Sequence, residues 1–375
     1  MKRLFIDGTG GKKWIGGLYY KRNIIFSLLE NPAILAEVKI IVATEKENKD
    51  LFSVFENRIV VKFIKYSSDQ ERKIKLLVLA VLSGTNYIFP SFGKIFRYFG
   101  IKDINWIADF QHNKLPEFFS QEEVEIRSTA YKEIAEKITP LILSSNDSLK
   151  DFRTFYTTDK NNVFVVPFVS YIEPEIKALS EDNVNSILNK FGLRDQSYAC
   201  VMNQFWKHKN HIVVFNAIQE YLKRNPCSSF LFVFTGKMED YRNPDYIDSL
   251  KKIMRDPMIN SHIKILGFID REEQIAIMKE AEFVVQPSLF EGWGTVLEDA
   301  KVLDKQVLLS DIPIHQEQKS RKSVLFDPYD SQGLSYILEQ ECKKIHTSDI
   351  EAGIKDMHDR ALRYSRGFEQ ILLER

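Results

Sequence analysis

Short apolar stretches alternate with helix-length segments along nearly the whole chain, and this alternation constrains the fold more than any other feature. The predicted strands of the first series lie at 4–7, 38–43, 59–64, 86–89, 106–110, 141–145 and 163–168. Those of the second series lie near 198–203, 229–235, 262–267, 282–287, 306–310 and 323–326. Strands that alternate with helices form parallel sheets whose two faces are covered by helices. The two series therefore predict an α/β protein with two doubly wound, Rossmann-like domains.

The length and a break in the pattern indicate where these domains meet. A chain of 375 residues suits two domains of roughly 150–200 residues each. The alternation stops within 169–195, where Pro174 and a polar stretch interrupt it. We predict a first domain over 1–178, a second over 179–350, and a C-terminal helix over 351–375 that packs back on the first domain.

Cysteine usage and hydropathy indicate in which cellular compartment the protein is expected. Cys200, Cys227 and Cys342 are widely spaced and form no C-x-x-C pair, which favours a reducing cytoplasm. The longest apolar run, 76–82, is far shorter than the roughly 20 residues that span a bilayer. No signal peptide is expected, because only three apolar residues follow Arg3 before Asp7. We expect a protein that is soluble or lies on a membrane surface.

The net charge is zero but unevenly distributed. Residues 1–100 hold 17 Lys and Arg against 9 Asp and Glu, so the remainder holds 35 against 43. The basic segment 1–100 is either ordinary solvated surface or a face that meets anionic lipid or a phosphorylated acceptor. The second interpretation assigns surface charge to Lys2, Arg3, Lys12, Lys13, Lys21, Arg22, Arg72, Lys73, Lys75, Lys94 and Arg97. It adds the aromatic groups Tyr19, Tyr20, Phe92, Phe96, Tyr98 and Phe99.

The stretch SLFEGWGTVLEDAKVL, at 288–303, joins a predicted strand to a predicted helix. Its glycines indicate that the helix begins after Glu291. Glu298 then lies one turn inside the helix. The N–H groups of Gly294, Thr295 and Val296 would then point at an anion such as a diphosphate. Glu298 could accept hydrogen bonds from a vicinal diol such as a ribose, and Glu291 from sugar hydroxyls. Alternatively, the glycines only turn the chain and Glu298 lies on a solvated face.

The segment 290–298 resembles the E-x7-E motif of glycosyltransferase family 4, whose members have the GT-B fold. The resemblance implies that Glu291 contacts the donor sugar and Glu298 the nucleotide ribose. It assigns contacts with sugar and diphosphate to the backbone of Gly292, Trp293, Gly294, Thr295 and Val296. It further implies that the first domain binds the acceptor, that the second binds the nucleotide sugar across a cleft, and that anomeric configuration is retained.

Other segments resemble this family in the expected order. Lys209 matches a lysine aimed at the donor diphosphate. Asn203 or Gln204 stands where an arginine is usual, a departure for which Lys207 or His208 could compensate. By analogy, the nucleotide is lined by Gly236 and by Gly267 with Phe268. Gly16 and Gly17, just before the first long helix, match a glycine pair near the diphosphate and acceptor, although a plain flexible loop is the alternative.

The segment 109–120 carries His112, which in related enzymes faces the transferred sugar. We therefore expect His112, Lys209 and Glu291 to be the catalytic residues and Asp109 to orient the acceptor, although Asp109 could equally cap the loop. An isolated histidine such as His112 is, by itself, more often structural than catalytic. No D-x-D motif and no His, Cys or carboxylate cluster at metal-ligand spacing occurs in the sequence. We expect no metal and no other cofactor.

The interpretation is a retaining hexosyltransferase that uses a nucleotide diphosphate sugar, with GDP-mannose favoured over a UDP-sugar. The acceptor would be a hydroxyl of a glycan or of a lipid-diphosphate-linked glycan, as in bacterial lipopolysaccharide, O-antigen or capsule biosynthesis. The protein would be cytoplasmic, at the inner face of the membrane where it meets anionic lipid, and would bind no nucleic acid. The alternatives are a GT-B sugar-nucleotide epimerase and an inactive sugar-nucleotide-binding protein, the latter suggested by the missing arginine.

Overall fold

The structure is a computed structural model that describes residues 1–10, 15–55, 57–91, 94–156, 158 and 162–373. Lys94, Ile95 and Arg97 are described by their backbone alone. Lys12, Lys13 and Phe92, predicted to lie on the basic surface, fall outside the described residues. The chain forms two compact units. The first comprises Met1–Phe110, Glu125–Tyr171 and Met357–Arg375, and the second Gln111–Val124 and Ile172–Asp356.

The first unit contains two parallel sheets, with strand orders β3-β2-β1-β4-β5 and β6-β7-β8. The strands are β1 Lys2–Asp7, β2 Val38–Thr44, β3 Val60–Phe63, β4 Tyr87–Phe89, β5 Lys102–Asp103, β6 Asn105–Ile107, β7 Leu141–Leu143 and β8 Val163–Val165. The predicted strands are present, with ends that differ by up to three residues, and the two-residue β5 was not predicted. The strands β1, β2, β4 and β7 carry most of the buried side chains, and apolar residues dominate these four runs.

The second unit contains one parallel sheet in the order β11-β10-β9-β12-β13-β14. Its strands are β9 Tyr198–Met202, β10 Leu231–Thr235, β11 Ile263–Ile265, β12 Phe283–Gln286, β13 Gln306–Ser310 and β14 Ser323–Phe326. In sequence order this is the 3-2-1-4-5-6 arrangement of a doubly wound sheet. The order reverses between β9 and β12, which pair directly.

Helices cover both series of strands. They are α1 Ile15–Leu29, α2 Pro32–Glu37, α3 Lys49–Ser53, α4 Asp69–Leu82, α5 Gln111–Lys114, α6 Gln121–Ala135, α7 Asn146–Phe155, α8 Glu173–Ala178, α9 Glu181–Lys190, α10 His211–Arg224, α11 Pro244–Met254, α12 Pro257–Asn260, α13 Arg271–Glu280, α14 Thr295–Val302, α15 Pro313–Gln318, α16 Ser331–Glu341 and α17 Ile350–Leu373. Within the described part of the chain, none of them is long and apolar enough to cross a bilayer.

The last helix contributes its final turns to the first unit. Phe368 packs edge-on against Phe89 with ring centroids 5.1 Å apart. The amide of Asn31 donates to Glu369 at 2.9 Å, and Lys2 donates to the carbonyl of Leu372 at 2.7 Å. Apolar and polar contacts together hold the end of α17 in this unit.

Candidate functional site

The loops after β9 and β12 meet at the point where the strand order of the second unit reverses. Ligands of open parallel sheets bind at such a point, beyond the carboxyl ends of the strands. The side-chain amide of Asn203, which follows β9, donates to Gln286 at the end of β12 over 2.8 Å. Asn210 then donates to the carbonyl of Pro287 at 3.1 Å, and the Leu289 N–H donates to the carbonyl of His208 at 2.8 Å. These bonds fix the two loops against each other.

Lys209 and Glu291 form an ion pair in this position. The Lys209 ammonium lies 2.6 Å from Oε1 of Glu291, and the same oxygen accepts from Ser288 at 2.7 Å and from Gln286 at 2.9 Å. Burial by itself raises the pKa of Glu291, but the Lys209 charge and the hydrogen bonds lower it to about 2. Two of the three predicted catalytic residues are therefore in contact, with Glu291 ionised at neutral pH.

The helix that carries Glu298 begins where the glycines predict. Gly294 is the N-terminal cap of α14, which starts at Thr295, so Glu291 and Gly292 lie on the preceding loop. One part of the prediction is wrong. The Gly294 N–H does not point toward an anion but donates to Oε1 of Gln318 at 2.9 Å. The amides of Thr295 and Val296 lie in the first turn, where a helix has no acceptor of its own for N–H groups.

Glu298 lies inside the protein rather than on a solvated face. Its side chain has no solvent exposure, and its Oε1 accepts from Lys301 and from Gln318, each at 2.9 Å. Gln318 also donates to the carbonyl of Gly294 at 2.8 Å, so one buried amide holds both the helix cap and the carboxylate. The Lys301 ammonium lies 5.8 Å from the ring centre of Trp293, on the preceding loop. The segment 293–298 is thus held by the contacts of Trp293 at its start and of Glu298 at its end.

The two residues at the predicted arginine position are engaged in the fold. Asn203 bonds with Gln286, and Gln204 accepts from the Lys237 N–H at 2.8 Å. Gly236 has a φ of +111°, and a Cβ there would stand 2.3 Å from the Asn203 carbonyl oxygen, so only glycine fits. The Gly236 N–H donates to the carbonyl of Gly267 at 2.7 Å, next to the exposed ring of Phe268. The predicted lining residues of β10 and β11 are thereby adjacent.

Residues 184–343 match the family model described as "Glycosyl transferases group 1". Over that range the chain is similar to this family. This match supports a glycosyltransferase. It includes Lys209, Glu291 and Glu298. No curated protein matches the sequence.

Solved structures are similar to nearly the whole chain at low identity. HepE from Anabaena, in complex with UDP and glucose, is 15% identical, with a TM-score of 0.63 over 98% of this chain and 95% of that one. A glycosyltransferase from Rickettsia africae is 14% identical, with a TM-score of 0.65 over 98% of each chain. WaaG, a glycosyltransferase involved in lipopolysaccharide biosynthesis, is 13% identical, with a TM-score of 0.58 over 97% of this chain and 95% of that one. The predicted GT-B fold, with two Rossmann-like domains, is confirmed.

The remaining predicted site residues fall in both units. His112, on α5, is buried in the second unit with Lys209 and Glu291, whereas Asp109 lies in the first. Gly16 and Gly17 also lie in the first unit. They stand within α1 rather than before it, with Gly16 exposed and Gly17 buried.

Aromatic contacts explain why 111–124 belongs to the second unit. The Lys207 ammonium lies 5.0 Å from the ring centre of Phe118, and the Arg242 guanidinium lies 4.6 Å from that of Phe119. The hydroxyl of Tyr241 donates to Glu123 at 3.1 Å. Tyr241 and Arg242 therefore help to anchor the segment that carries His112.

Several residues that shape the site carried no recognisable signal. Gln286, Ser288 and Gln318 position the two glutamates, but their partners depend on how strands and helices pack. Asn210 gave a weak signal, since asparagine tolerates the left-handed backbone that it adopts here with a φ of +56°. The Lys207 N–H donates to Asp240 at 2.9 Å, which fixes the turn that presents Lys209.

Proposed function

We propose that this protein transfers a hexose from a nucleotide diphosphate sugar to a hydroxyl of a glycan or lipid-linked acceptor, with retention of configuration. The observation that carries the proposal is the Lys209–Glu291 pair at the strand-order reversal, followed directly by the N-terminus of α14. A cation and a helix N-terminus both favour a negatively charged group, which is what a departing diphosphate is.

The state of Glu291 supports a binding role. With a pKa of about 2, the carboxyl is ionised at neutral pH, so it can accept hydrogen bonds from sugar hydroxyls but has no proton to give. Lys209 would share its charge between Glu291 and the donor diphosphate, and this attraction grows as the glycosidic bond breaks. A carboxylate with so low a pKa is a weak base, so the departing diphosphate would itself take the proton of the acceptor hydroxyl as the new glycosidic bond forms. His112 would face the transferred sugar.

The identity of the donor is open between two classes. The resemblance to envelope-polysaccharide enzymes favours GDP-mannose, whereas HepE is known in complex with UDP and glucose, which favours a UDP-hexose. A thermal-shift panel of GDP-mannose, UDP-glucose and UDP-galactose separates them. A ligand at 100 times its dissociation constant adds roughly 2.7 kcal/mol to the free energy of unfolding. We propose that no metal is required, so the shift should persist in EDTA, and its loss would contradict this.

An exposed apolar stripe supports a lipid-linked acceptor and a peripheral position on an anionic membrane. Ile74, Val78, Val81 and Leu82 lie at helical spacing on the outer face of α4, and Leu82 is 79% exposed. Leu76 and Ala80 of the same helix pack in a core cluster with Phe96 and Ile101. Tyr98, in the same segment as Phe96, is 87% exposed. An apolar patch of this kind on a basic half suits a headgroup layer.

The structure corrects part of the predicted basic surface. Lys21 and Arg22 are buried, as are the rings of Tyr20 and Phe96, so none of them can meet a headgroup layer. Lys73 and Lys75 are exposed but pair with Asp69 and Glu71, each at 2.7 Å. Charge alone is therefore a weaker basis for membrane binding than the apolar stripe.

Product analysis tests the proposed activity. The protein is incubated with a nucleotide sugar, with and without a bacterial lipid or glycan extract, and the nucleoside diphosphate released is measured. Release that requires acceptor supports transfer. An altered sugar without release would instead identify an epimerase, and binding without either would identify an inactive binding protein, since Asn203 and Gln204 leave the expected arginine absent.

A further inference from the structure

A cavity of about 880 Å³ opens at the carboxyl edge of the first unit's five-stranded sheet. Its wall is formed by residues that follow three neighbouring strands: Gly10 after β1, Glu45 to Asn48 after β2, and Ile64 to Tyr66 after β3. This is the edge at which parallel sheets bind ligands. The volume lies within the roughly 300–1,000 Å³ range of ligand pockets.

Hydrogen bonds hold the polar groups of the wall in place. The Glu45 carboxylate accepts from the hydroxyl of Tyr66, from the Gly10 N–H at 3.3 Å and from the amide of Asn48 at 3.0 Å. Asn48 also donates to the carbonyl of Gly10 at 3.1 Å. The half-buried carboxylate is thereby presented in one orientation before any ligand arrives.

Hydrogen bonds to Ala43 and Lys21 hold the turn that precedes Gly10. The Gly8 N–H donates to the carbonyl of Ala43 at 2.8 Å, and a Cβ on Gly8 would stand 2.7 Å from a methyl group of Val42. The carbonyl of Thr9 accepts from the buried Lys21 at 2.8 Å. The cavity wall is therefore a built feature of the sheet edge.

The composition of the wall indicates the class of ligand. Its two carboxylates, Glu45 and Glu47, are balanced by Lys46 and Lys65, so the cavity does not select a strongly charged group. The ring of Phe63, the last residue of the edge strand β3, lines the opening and is 44% exposed. Fixed hydrogen-bonding groups beside an exposed aromatic face suit a molecule with many hydroxyls and one apolar face.

We propose that this cavity binds a sugar ring, with Glu45 and Asn48 bonded to hydroxyls and Phe63 against the C–H face of the ring. That the sugar belongs to the acceptor rests on the proposed function, whereas the binding itself does not. Transfer would then require a carbohydrate acceptor, which is a narrower class than any hydroxyl compound.

Saturation-transfer NMR tests the proposal with methyl glycosides of glucose, galactose, mannose and N-acetylglucosamine, and with inorganic phosphate as a charged probe. We expect at least one glycoside to bind the wild-type protein. Glu45→Gln should weaken that binding by roughly tenfold or more, because a charged acceptor is lost while the bonds from Tyr66 and Gly10 can remain. Phe63→Ala should weaken it as well.

The matched control is Phe99→Ala, which removes another exposed phenylalanine of the same unit outside the cavity wall. Its glycoside binding should equal that of the wild type. Absence of glycoside binding to the wild type, phosphate binding alone, or binding that survives both Glu45→Gln and Phe63→Ala would overturn the proposal. UDP and GDP binding, measured on the same samples, reports on the second unit, so failure of the proposed function is distinguished from failure of the cavity.

Discussion

Glu291 keeps its negative charge because three donors converge on one of its oxygens. The folded carboxyl has a pKa of about 2 against 4.5 in an unfolded chain, so its ionised form favours the folded state. The resulting stability is fully present above about pH 4.5 and is lost as the pH falls toward 2. The free energy of unfolding of the wild type should therefore approach that of Glu291→Gln across this interval in chemical denaturation. A difference that stays constant would contradict the ion pair.

Lys209 should matter to turnover. Lys209→Ala removes the cation beside the departing diphosphate, and we expect a loss on the order of 10²-fold in kcat, in the range seen when a transition-state donor is removed. Lys207→Ala is the matched control, since Lys207 lies two residues before Lys209 and contacts Phe118 instead. Steady-state rates with a nucleotide sugar decide the matter. Equal losses in the two variants would assign the role to the loop as a whole.

Gln318 should control nucleotide affinity although it was not predicted to belong to the site. Gln318→Ala leaves the Gly294 N–H without its acceptor and removes one donor from Glu298, which costs about 1–3 kcal/mol. The control is Gln316→Ala on the same helix, where the side chain is exposed. Calorimetric titration with UDP or GDP should show weaker binding only for Gln318→Ala. Unchanged affinity would confine Gln318 to a structural role.

At the scale of elements, local sequence patterns predict the strands and helix starts that depend on contacts between neighbouring residues. The strands follow from runs of β-branched and aromatic residues, and the start of α14 follows from its glycines. The N-cap of α7 is Ser145, whose hydroxyl accepts from the Ser148 N–H at 3.0 Å, and Asn146 follows it directly. Both residues are good caps, so composition alone could not choose between neighbours.

Long-range contacts decide the elements that the sequence could not place. The segment 111–124 follows the first series of strands, yet Phe118, Phe119 and Glu123 attach it to the second unit. Gln318 lies far along the chain from Gly294, and their contact exists only once α15 packs beside α14. No periodicity in the sequence encodes such a pairing.

The exposed stripe of α4 should dominate membrane attachment. Replacing Val78 and Leu82 together by serine removes apolar surface from the outer face without touching the buried Leu76 or Ala80. We expect the double variant to stay in solution when sedimented with anionic vesicles that bring down the wild type, and added salt to weaken wild-type binding. Ile126→Ser, on α6, is the control for an exposed isoleucine elsewhere. A wild type that does not sediment at low salt would favour a soluble acceptor.

At the scale of the whole molecule, the residues proposed to bind the donor and those proposed to bind the acceptor lie in different units. The Lys209–Glu291 pair and α14 lie in the second unit, while the proposed sugar cavity and the α4 stripe lie in the first. Defects in the two groups of residues should therefore affect different substrates. Variants at the Lys209–Glu291 pair or α14 should change donor binding. Variants at the cavity or the α4 stripe should change acceptor or lipid binding.

The most direct measurement compares the two glutamates of the motif by titrating a nucleoside diphosphate and the corresponding nucleotide sugar into the wild type, Glu291→Ala and Glu298→Ala. The account predicts that Glu298→Ala weakens both ligands by roughly 1–3 kcal/mol, because Lys301 and Gln318 lose the buried carboxylate that holds them at the start of α14. Glu291→Ala should keep the affinity for the nucleoside diphosphate and lose only the part contributed by the sugar. Equal losses of nucleoside diphosphate affinity in the two variants, or no loss in either, would contradict the placement of the donor in this site.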